Sequence, residues 1–442
     1  MNIGRRLLSL LIALATAAAA CSDGNTTPTP DGSQSIAREA PATSSAPTTS
    51  TLPDGDFALT LWIEQGDDDT VQYVQGLADA YATEHPNVSF EVINKDVDTL
   101  REDFETASLA GDAPEVLLAG AEQIGPLTSA DLILSLDSLV DRARFVPTAA
   151  AAITSEGTLW GAPVTFGNQL MLYWNKELAG DRAPADSDEW VAHAKELTTS
   201  DHVGIAFNQN ESFWLVPFLG GFGGSVFDTD GTTPTLDTEA MRLALEFFYD
   251  LKFTDKVTPP DADYRVADEL FREGAAAYSI NGDWTLDAYA AAPDAAPPGL
   301  GDNLGVGPLP TLVGGGDPKP FIAGSFLMAS KAVAADPDLQ AYVADFLNFA
   351  TSTENQVQLV EDLRRLPANA QAVADPVVTG DPLLAGAAEA AKKGVPQPAN
   401  LEMRCVFDAM DTGVREMFGG SDDFEALSAA MQSSAEACTD RL

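Results

Sequence analysis

The pattern that most narrows the choice of fold is an alternation of short apolar runs with stretches of helical period, beginning at Phe57. "FALTLWI" (Phe57 to Ile63) reads as a strand, and Val71, Val74, Leu77, Ala78 and Tyr81 then mark one face of a helix that stops at His85-Pro86. "VSFEVI" (Val88 to Ile93) is a second strand. A helix with Leu100, Phe104 and Leu109 inward ends at Gly111, and "EVLLAG" (Glu115 to Gly120) is a third strand. A βαβαβ order predicts an α/β fold: a mostly parallel sheet with helices on both faces.

The same grammar resumes after Gly161. "QLMLYWN" (Gln169 to Asn175) is a strand, Asp186 to Glu189 forms a capping box for a helix through Leu197, and "VGIAFN" (Val203 to Asn208) is the next strand. A helix capped at Asp237 runs through Met241, Leu245 and Phe248. Another, Tyr264 to Glu273, is halted by Gly274 before a strand from Ala275 to Ile280. "FIAGSFLMAS" (Phe321 to Ser330) reads as one strand, followed by a helix from Asp336-Pro337 to about Phe349. At 442 residues the chain exceeds what one hydrophobic core usually supports, which favours two lobes.

The chain opens on "MNIGRRLLSLLIALATAAAA", a basic start followed by an apolar run too short to span a membrane and ending in small residues, as a secretory signal over 1–20 does. "AAAC" then resembles the lipobox of bacterial lipoproteins, so Cys21 is the expected lipidation site; plain cleavage after Ala18-Ala19-Ala20 is the alternative. From Cys21 to Asp56 the chain is dense in Ser, Thr, Pro, Asp and Gly and reads as a disordered tether. The protein is therefore expected outside the cell, held by a lipid to the outer face of the bacterial cytoplasmic membrane.

Three cysteines leave one over in a secreted chain. Cys405 and Cys438 lie on two segments of helical period, about 401–418 and 423–440, and are equidistant from the turn at Gly419 to Asp422. An antiparallel hairpin sets such positions side by side, which predicts a Cys405–Cys438 disulfide and leaves Cys21 unpaired for the lipid.

With 24 basic and 67 acidic side chains, the formal charge of −43 argues against nucleic acid or an anionic lipid surface as partner. The chain has no G-x-S-x-G elbow and no Walker loop, and "GGFGGS" (Gly220 to Ser225) lacks the spacing of a dinucleotide fingerprint. His85, His193 and His202 are scattered, so neither metal nor cofactor is expected. What remains is aromatic residues beside polar ones at strand ends: "WIEQGDDD" (Trp62 to Asp69), "NQNESFW" (Asn208 to Trp214) and "INGDWTLDAY" (Ile280 to Tyr289). In open α/β sheets ligands bind beyond the carboxyl ends of strands, and sugars take rings for their apolar faces and carboxylates or amides for their hydroxyls. Each such ring is by itself equally a core plug.

These stretches resemble the extracellular solute-binding proteins of ABC importers, the family that includes maltose-binding protein. The resemblance rests on "DADYRVADELFREGAAAYSINGDWTLDAY" (Asp261 to Tyr289), "GTLWGAPVTFGNQLMLYWNKEL" (Gly157 to Leu178), "FNQNESFWLVPFLGGFGG" (Phe207 to Gly224) and "GVPQPANLEM" (Gly394 to Met403). It implies a two-lobed type II periplasmic-binding-protein fold with a ligand cleft between hinged lobes, an N-lobe of 57–165 with 313–366 and a C-lobe of 166–312 with 367–442. It also implies a monomeric, non-enzymatic binding subunit that delivers a carbohydrate to ABC permease subunits driven by a separate ATPase. The ligand-binding residues carried over are Asp67, Asp68, Glu211, Phe213, Trp284 and Phe407. After the third strand, Ala119, Glu122 and Gln123 stand where maltose-binding protein has Trp, Asp and Arg, which points to a smaller or differently linked sugar, maltose- or trehalose-like. The rival readings are the same fold around a polyamine, disfavoured by the amides at Asn208 to Asn210 and Gln123, and a secreted carbohydrate-active enzyme using a carboxylate pair such as Asp67 and Glu211.

Overall fold

The computed structural model describes residues 52–64, 68–97, 99–155 and 157–442. Cys21 and Asp67 lie outside them. The first βαβαβ unit forms as its periodicity requires: β1 (Phe57–Glu64), α1 (Asp68–Glu84), β2 (Val88–Lys95), α2 (Leu100–Ala110) and β3 (Val116–Gly120). Strand β1 lies between β2 and β3 and is parallel to both. Helix α2 ends on Gly111, whose φ of 82° suits a residue without a side chain. Leu109, however, is 90% exposed while Leu100 and Phe104 are fully buried. At about 100° per residue, five positions beyond Phe104 is roughly 140° away from the buried face.

The sheets are more mixed than the alternation predicted. The first runs β2-β1-β3-β9-β4, with β9 (Ser325–Ala329) antiparallel to both β3 and the short β4 (Ala162–Pro163). The second runs β8-β5-β7-β6, and only β6 (Val203–Ala206) and β7 (Ala276–Gly282) are parallel; β5 (Leu170–Asn175) and β8 (Leu304–Gly307) run antiparallel to their neighbours. Strand β9 in the first sheet, and the β5 that opens the second, are each entered through a segment that runs between the sheets, where no helical crossover restores direction.

The run from Phe321 to Ser330 is broken rather than continuous. Phe321–Ile322 pairs separately with Val395–Pro396, and Gly324, at φ 132°, lets the backbone turn before β9 begins. A Cβ at Gly324 would lie 2.2 Å from the Thr165 carbonyl, so glycine is required there. Elsewhere the local signals hold. Asp186 caps the helix α4 (Ser187–Leu197) by accepting from Glu189 N at 2.9 Å, and the Glu189 carboxylate accepts from Ala185 N at 2.7 Å. For helix α5 (Glu239–Tyr249) the cap is Thr238, whose hydroxyl accepts from Met241 N; the neighbouring Asp237 accepts instead from Ser428 and pairs with Arg242.

Along β5 successive side chains serve opposite faces. Leu170, Leu172 and Trp174 pack with Trp214, Phe218 and Ile280, whereas Met171 and Tyr173 join a second cluster that holds Phe271, Tyr289 and the core of the first sheet. The two sheets are linked by three segments lying side by side. Val164 N donates to Ser325 O, Phe166 N to Leu366 O and Ala323 N to Gly167 O, all near 2.9 Å. Residues 311–319 stay with elements of the second sheet, since Val313 N donates to Ser187 Oγ and Gly316 N to Gly221 O.

At the C-terminus α6 (Glu402–Phe418) and α7 (Phe424–Thr439) form the expected antiparallel hairpin, joined by the Cys405–Cys438 disulfide with Cα atoms 5.5 Å apart. Among the described residues no helix is long and apolar enough to cross a membrane.

Candidate functional site

The carboxyl end of β7 turns into Trp284 through bonds that are all buried. Tyr173 donates its hydroxyl hydrogen to Gly282 O at 2.7 Å, and Asn281 donates from Nδ2 to the Tyr289 hydroxyl at 2.8 Å while its Oδ1 accepts from Gly282 N. The indole of Trp284 lies over Gly282, where a Cβ would collide with the ring, and its Nε1–H donates to the Tyr264 hydroxyl at 2.9 Å. Trp284 is half-buried, so it plugs part of the core and keeps part of its ring at the surface.

Three distant segments bring further rings to it. Phe213 lies 6.3 Å from Trp284 and 6.5 Å from Phe407, centroid to centroid, and both phenyl rings are half-buried. Trp214, buried and anchored by its Nε1–H to Ile280 O, meets Trp284 edge-on at 6.5 Å. Such tilted and edge contacts are the favoured aromatic geometries and hold the cluster rigid. Tyr264 was not singled out from the sequence, although it sits in the quoted "DADYRV"; only the fold reveals that its hydroxyl orients the indole.

Carboxylates frame this cluster. Glu211 keeps solvent contact and accepts from Asn208 Nδ2 at 2.7 Å; the protein crowded round it, together with Asp411, raises its pKa above the ordinary value. Asp411 in turn accepts from Ser212 N at 2.7 Å and fixes the start of the turn that carries Phe213 and Trp214. The amides are less available than their composition implied. Asn208 and Gln209 are both buried, Gln209 donating to Pro259 O, and of that run only Asn210 is exposed.

Asp283, next to Trp284, faces the segments between the sheets. It is 1% exposed, accepts from Asn168 N at 2.9 Å and lies 3.9 Å from the Arg365 guanidinium, which also donates to Asn168 Oδ1. Burial raises its pKa and Arg365 opposes that rise. Asp287 is instead an exposed partner of Arg364 at 3.7 Å.

At the carboxyl end of the first sheet the chemistry is acidic. Glu64, the last residue of β1, accepts from Gly120 N at 2.7 Å and from Gln123 Nε2 at 2.6 Å. The Glu122 side chain folds back over Gly120, its oxygens filling the space a Cβ would need. Glu122 is exposed as a residue, but protein atoms crowd its carboxyl: desolvation there first, and then the charge of Glu64, push it up from the ordinary range, and desolvation does the same to Glu64. Glu64 is the residue missed in the sequence stretch "WIEQGDDD". Asp68 is exposed in the first turn of α1 beside Asp69. The Gln123 turn continues into the short helix α3 (Ile124–Ser129), whose Gly125 packs on the backbone of Asn400 and Leu401, just upstream of Phe407. Thus Glu122 and Gln123 on one side and Phe213, Trp284, Phe407 and Glu211 on the other each form a group. Among the described residues, no cluster of His, Cys, Asp and Glu is arranged to hold a metal ion.

Comparison with known proteins bears on this geometry. The profile of the bacterial extracellular solute-binding protein family matches residues 76–386. The maltotriose-binding protein of Pyrococcus abyssi is 25% identical over 356 residues, covering 78% of this chain and 74% of the relative. The maltodextrin-binding protein MdxE of Bacillus subtilis is 26% identical over 333 residues, covering 72% and 75%. Among solved structures, the maltose/maltodextrin-binding domain MalE from Bdellovibrio bacteriovorus bound to maltotriose superposes with a TM-score of 0.76 at 26% identity, over 86% of this chain and 99% of that one.

Proposed function

Because the chain belongs to the bacterial extracellular solute-binding protein family and has its two-lobed type II periplasmic-binding fold, we propose that it captures an oligosaccharide of maltose or trehalose type outside the cell and delivers it to the permease subunits of an ABC importer. The observation that carries this reading is the ring cluster: Phe213, Trp284 and Phe407 come from three separate segments and converge beside Glu211. Rigid half-exposed rings stack on the apolar faces of sugar rings, and the adjoining carboxylate accepts hydroxyl hydrogens.

The lobes expected from the sequence are 57–165 with 313–366 and 166–312 with 367–442; because residues 311–319 stay with the second sheet, we take the third link to be Phe321–Ser325 rather than the neighbourhood of 313. A sugar touching both groups of residues binds the closed form better than the open one, and that difference drives closure. Asp67 and Asp68 belong to the first lobe's contribution. The protein acts as a monomer, returns its ligand unchanged and needs no cofactor. Cys21 carries the lipid that holds it at the outer face of the cytoplasmic membrane, while the ATPase is a separate chain.

Calorimetry and thermal shift against a panel of neutral di- and oligosaccharides test the reading. Binding is expected for at least one, with the sugar recovered intact by chromatography. A panel with no heat and no shift would sink it, and recovery of cleaved sugar would make the protein an enzyme.

A further inference from the structure

The Glu64–Glu122 pair holds two carboxyls against each other with no cation from the protein. Neither is within ion-pair distance of a Lys or Arg among the described residues. The base nearest in register, Lys95, sits across from Glu64 on β2, but its ammonium lies over the Trp62 ring at 4.0 Å and pairs with Asp103 at 3.0 Å. Neutral donors only partly compensate: Gly120 N and Gln123 Nε2 both serve Glu64, and among the described residues Glu122 is served by its own backbone N–H and by no Lys, Arg or amide side chain.

A second observation is independent of the carboxyls. Gln123 is 5% exposed, and the amide group that donates to Glu64 leaves its Oε1 with no hydrogen-bond donor. A buried amide oxygen without a partner costs on the order of 1–3 kcal/mol, so a site that keeps one beside two carboxyls is short of positive hydrogens. Like carboxyls in contact relieve their repulsion by sharing a proton, and a protonated amine relieves it further by adding a full charge and several donors. A neutral hydroxyl supplies a single donor and no charge.

From this arrangement we propose that Glu64, Glu122 and Gln123 form a subsite for a protonated amine on the sugar, so that the preferred ligand is an amine-bearing oligosaccharide. The inference rests on the carbohydrate reading above and narrows its substrate class. On binding, the ammonium replaces the proton held between the two carboxyls: one O–H bond breaks, that proton passes to solvent or buffer, and no other bond changes.

The test compares maltotriose with 6-amino-6-deoxymaltotriose, and trehalose with 6-amino-6-deoxytrehalose, by calorimetry at neutral pH in phosphate and in Tris, with spermidine as a sugar-free amine. In at least one pair the amino sugar is expected to bind about tenfold or more tighter, with release of about one proton read from the buffer dependence. The Glu122→Gln variant is expected to bring the amine-to-neutral affinity ratio down towards one. Equal affinity of amino and neutral sugars, or a preference unaltered in both Glu122→Gln and Glu64→Gln, overturns the subsite while leaving the carbohydrate reading standing. If the variants fail to fold, proton release by the parent protein decides. Binding of spermidine with no sugar bound at all sinks the carbohydrate reading itself.

Discussion

The carboxyl ends of the two sheets offer opposite chemistries. At β7 the turn presents rings packed on rings, with Trp284 oriented by Tyr264 and backed by buried Trp214. At β1 and β3 it presents two carboxyls and an amide. On the proposed reading the ring side supplies contact area that tolerates many sugars, and the acid side supplies directional bonds that discriminate among them. On that reading affinity and selectivity belong to different sheets, and substitutions on the two sides should separate them.

The largest effect expected concerns the brace that only the ring side has. Replacing Cys405 and Cys438 by Ser opens a crosslink between positions 33 residues apart, which chain-entropy reasoning values at about 4 kcal/mol. Guanidinium unfolding with and without reductant measures it, and a loss below about 1 kcal/mol would remove the asymmetry in bracing. Arg365→Ala comes next. It strands the buried Asp283 carboxylate between the sheets and is expected to cost about 3 kcal/mol in the same assay, with Asp283→Asn, Arg365→Ala together less harmful than the single change. Trp284→Ala should weaken binding of any accepted sugar by roughly 100-fold in calorimetry. Its stability loss is held to about 2 kcal/mol, because the ring is only half-buried. If stability collapses and affinity for a neutral sugar survives, the rings are core and the comparison fails.

The smallest effect is on the acid side and depends on pH. Glu122 has its folded pKa raised, so the folded state holds the proton more tightly than the unfolded chain does. That stabilisation is complete at low pH and is lost as pH rises from the unfolded value towards the folded one. Glu122→Gln should therefore melt above the parent at pH 8 and close to it at pH 4. Solvent contact keeps the gap under about 1 kcal/mol. A Glu122→Gln variant less stable than the parent at pH 8 would mean that the pair is not strained.

Much of this was legible in the sequence because it depends on local period. The strands and helices from Phe57 to Gly120, the capping box at Asp186 and the hairpin that pairs Cys405 with Cys438 all follow from spacing along one segment. What the sequence hid is set by distant neighbours. Gly324 reads as an ordinary strand glycine until Thr165 is known to lie against it, and the amides at Asn208 and Gln209 look like ligand donors until the fold buries them. Of the rings that converge, Phe213 and Trp284 lie in stretches the sequence singled out at strand ends, whereas Phe407, on helix α6, came only from the resemblance. Tyr264 and Glu64 came from neither, since each owes its role to a partner brought from elsewhere by the fold.

The disulfide also divides the making of this molecule into two stages. Thiols stay reduced in a bacterial cytoplasm, so on the proposed reading, with residues 1–20 directing export, the chain reaches the membrane without the covalent tie between α6 and α7. Until then the helix that carries Phe407 holds by packing alone, and the newly made chain is easier to keep unfolded for passage. Oxidation outside then locks the hairpin, and the last increment of stability is conferred by the compartment in which the protein works.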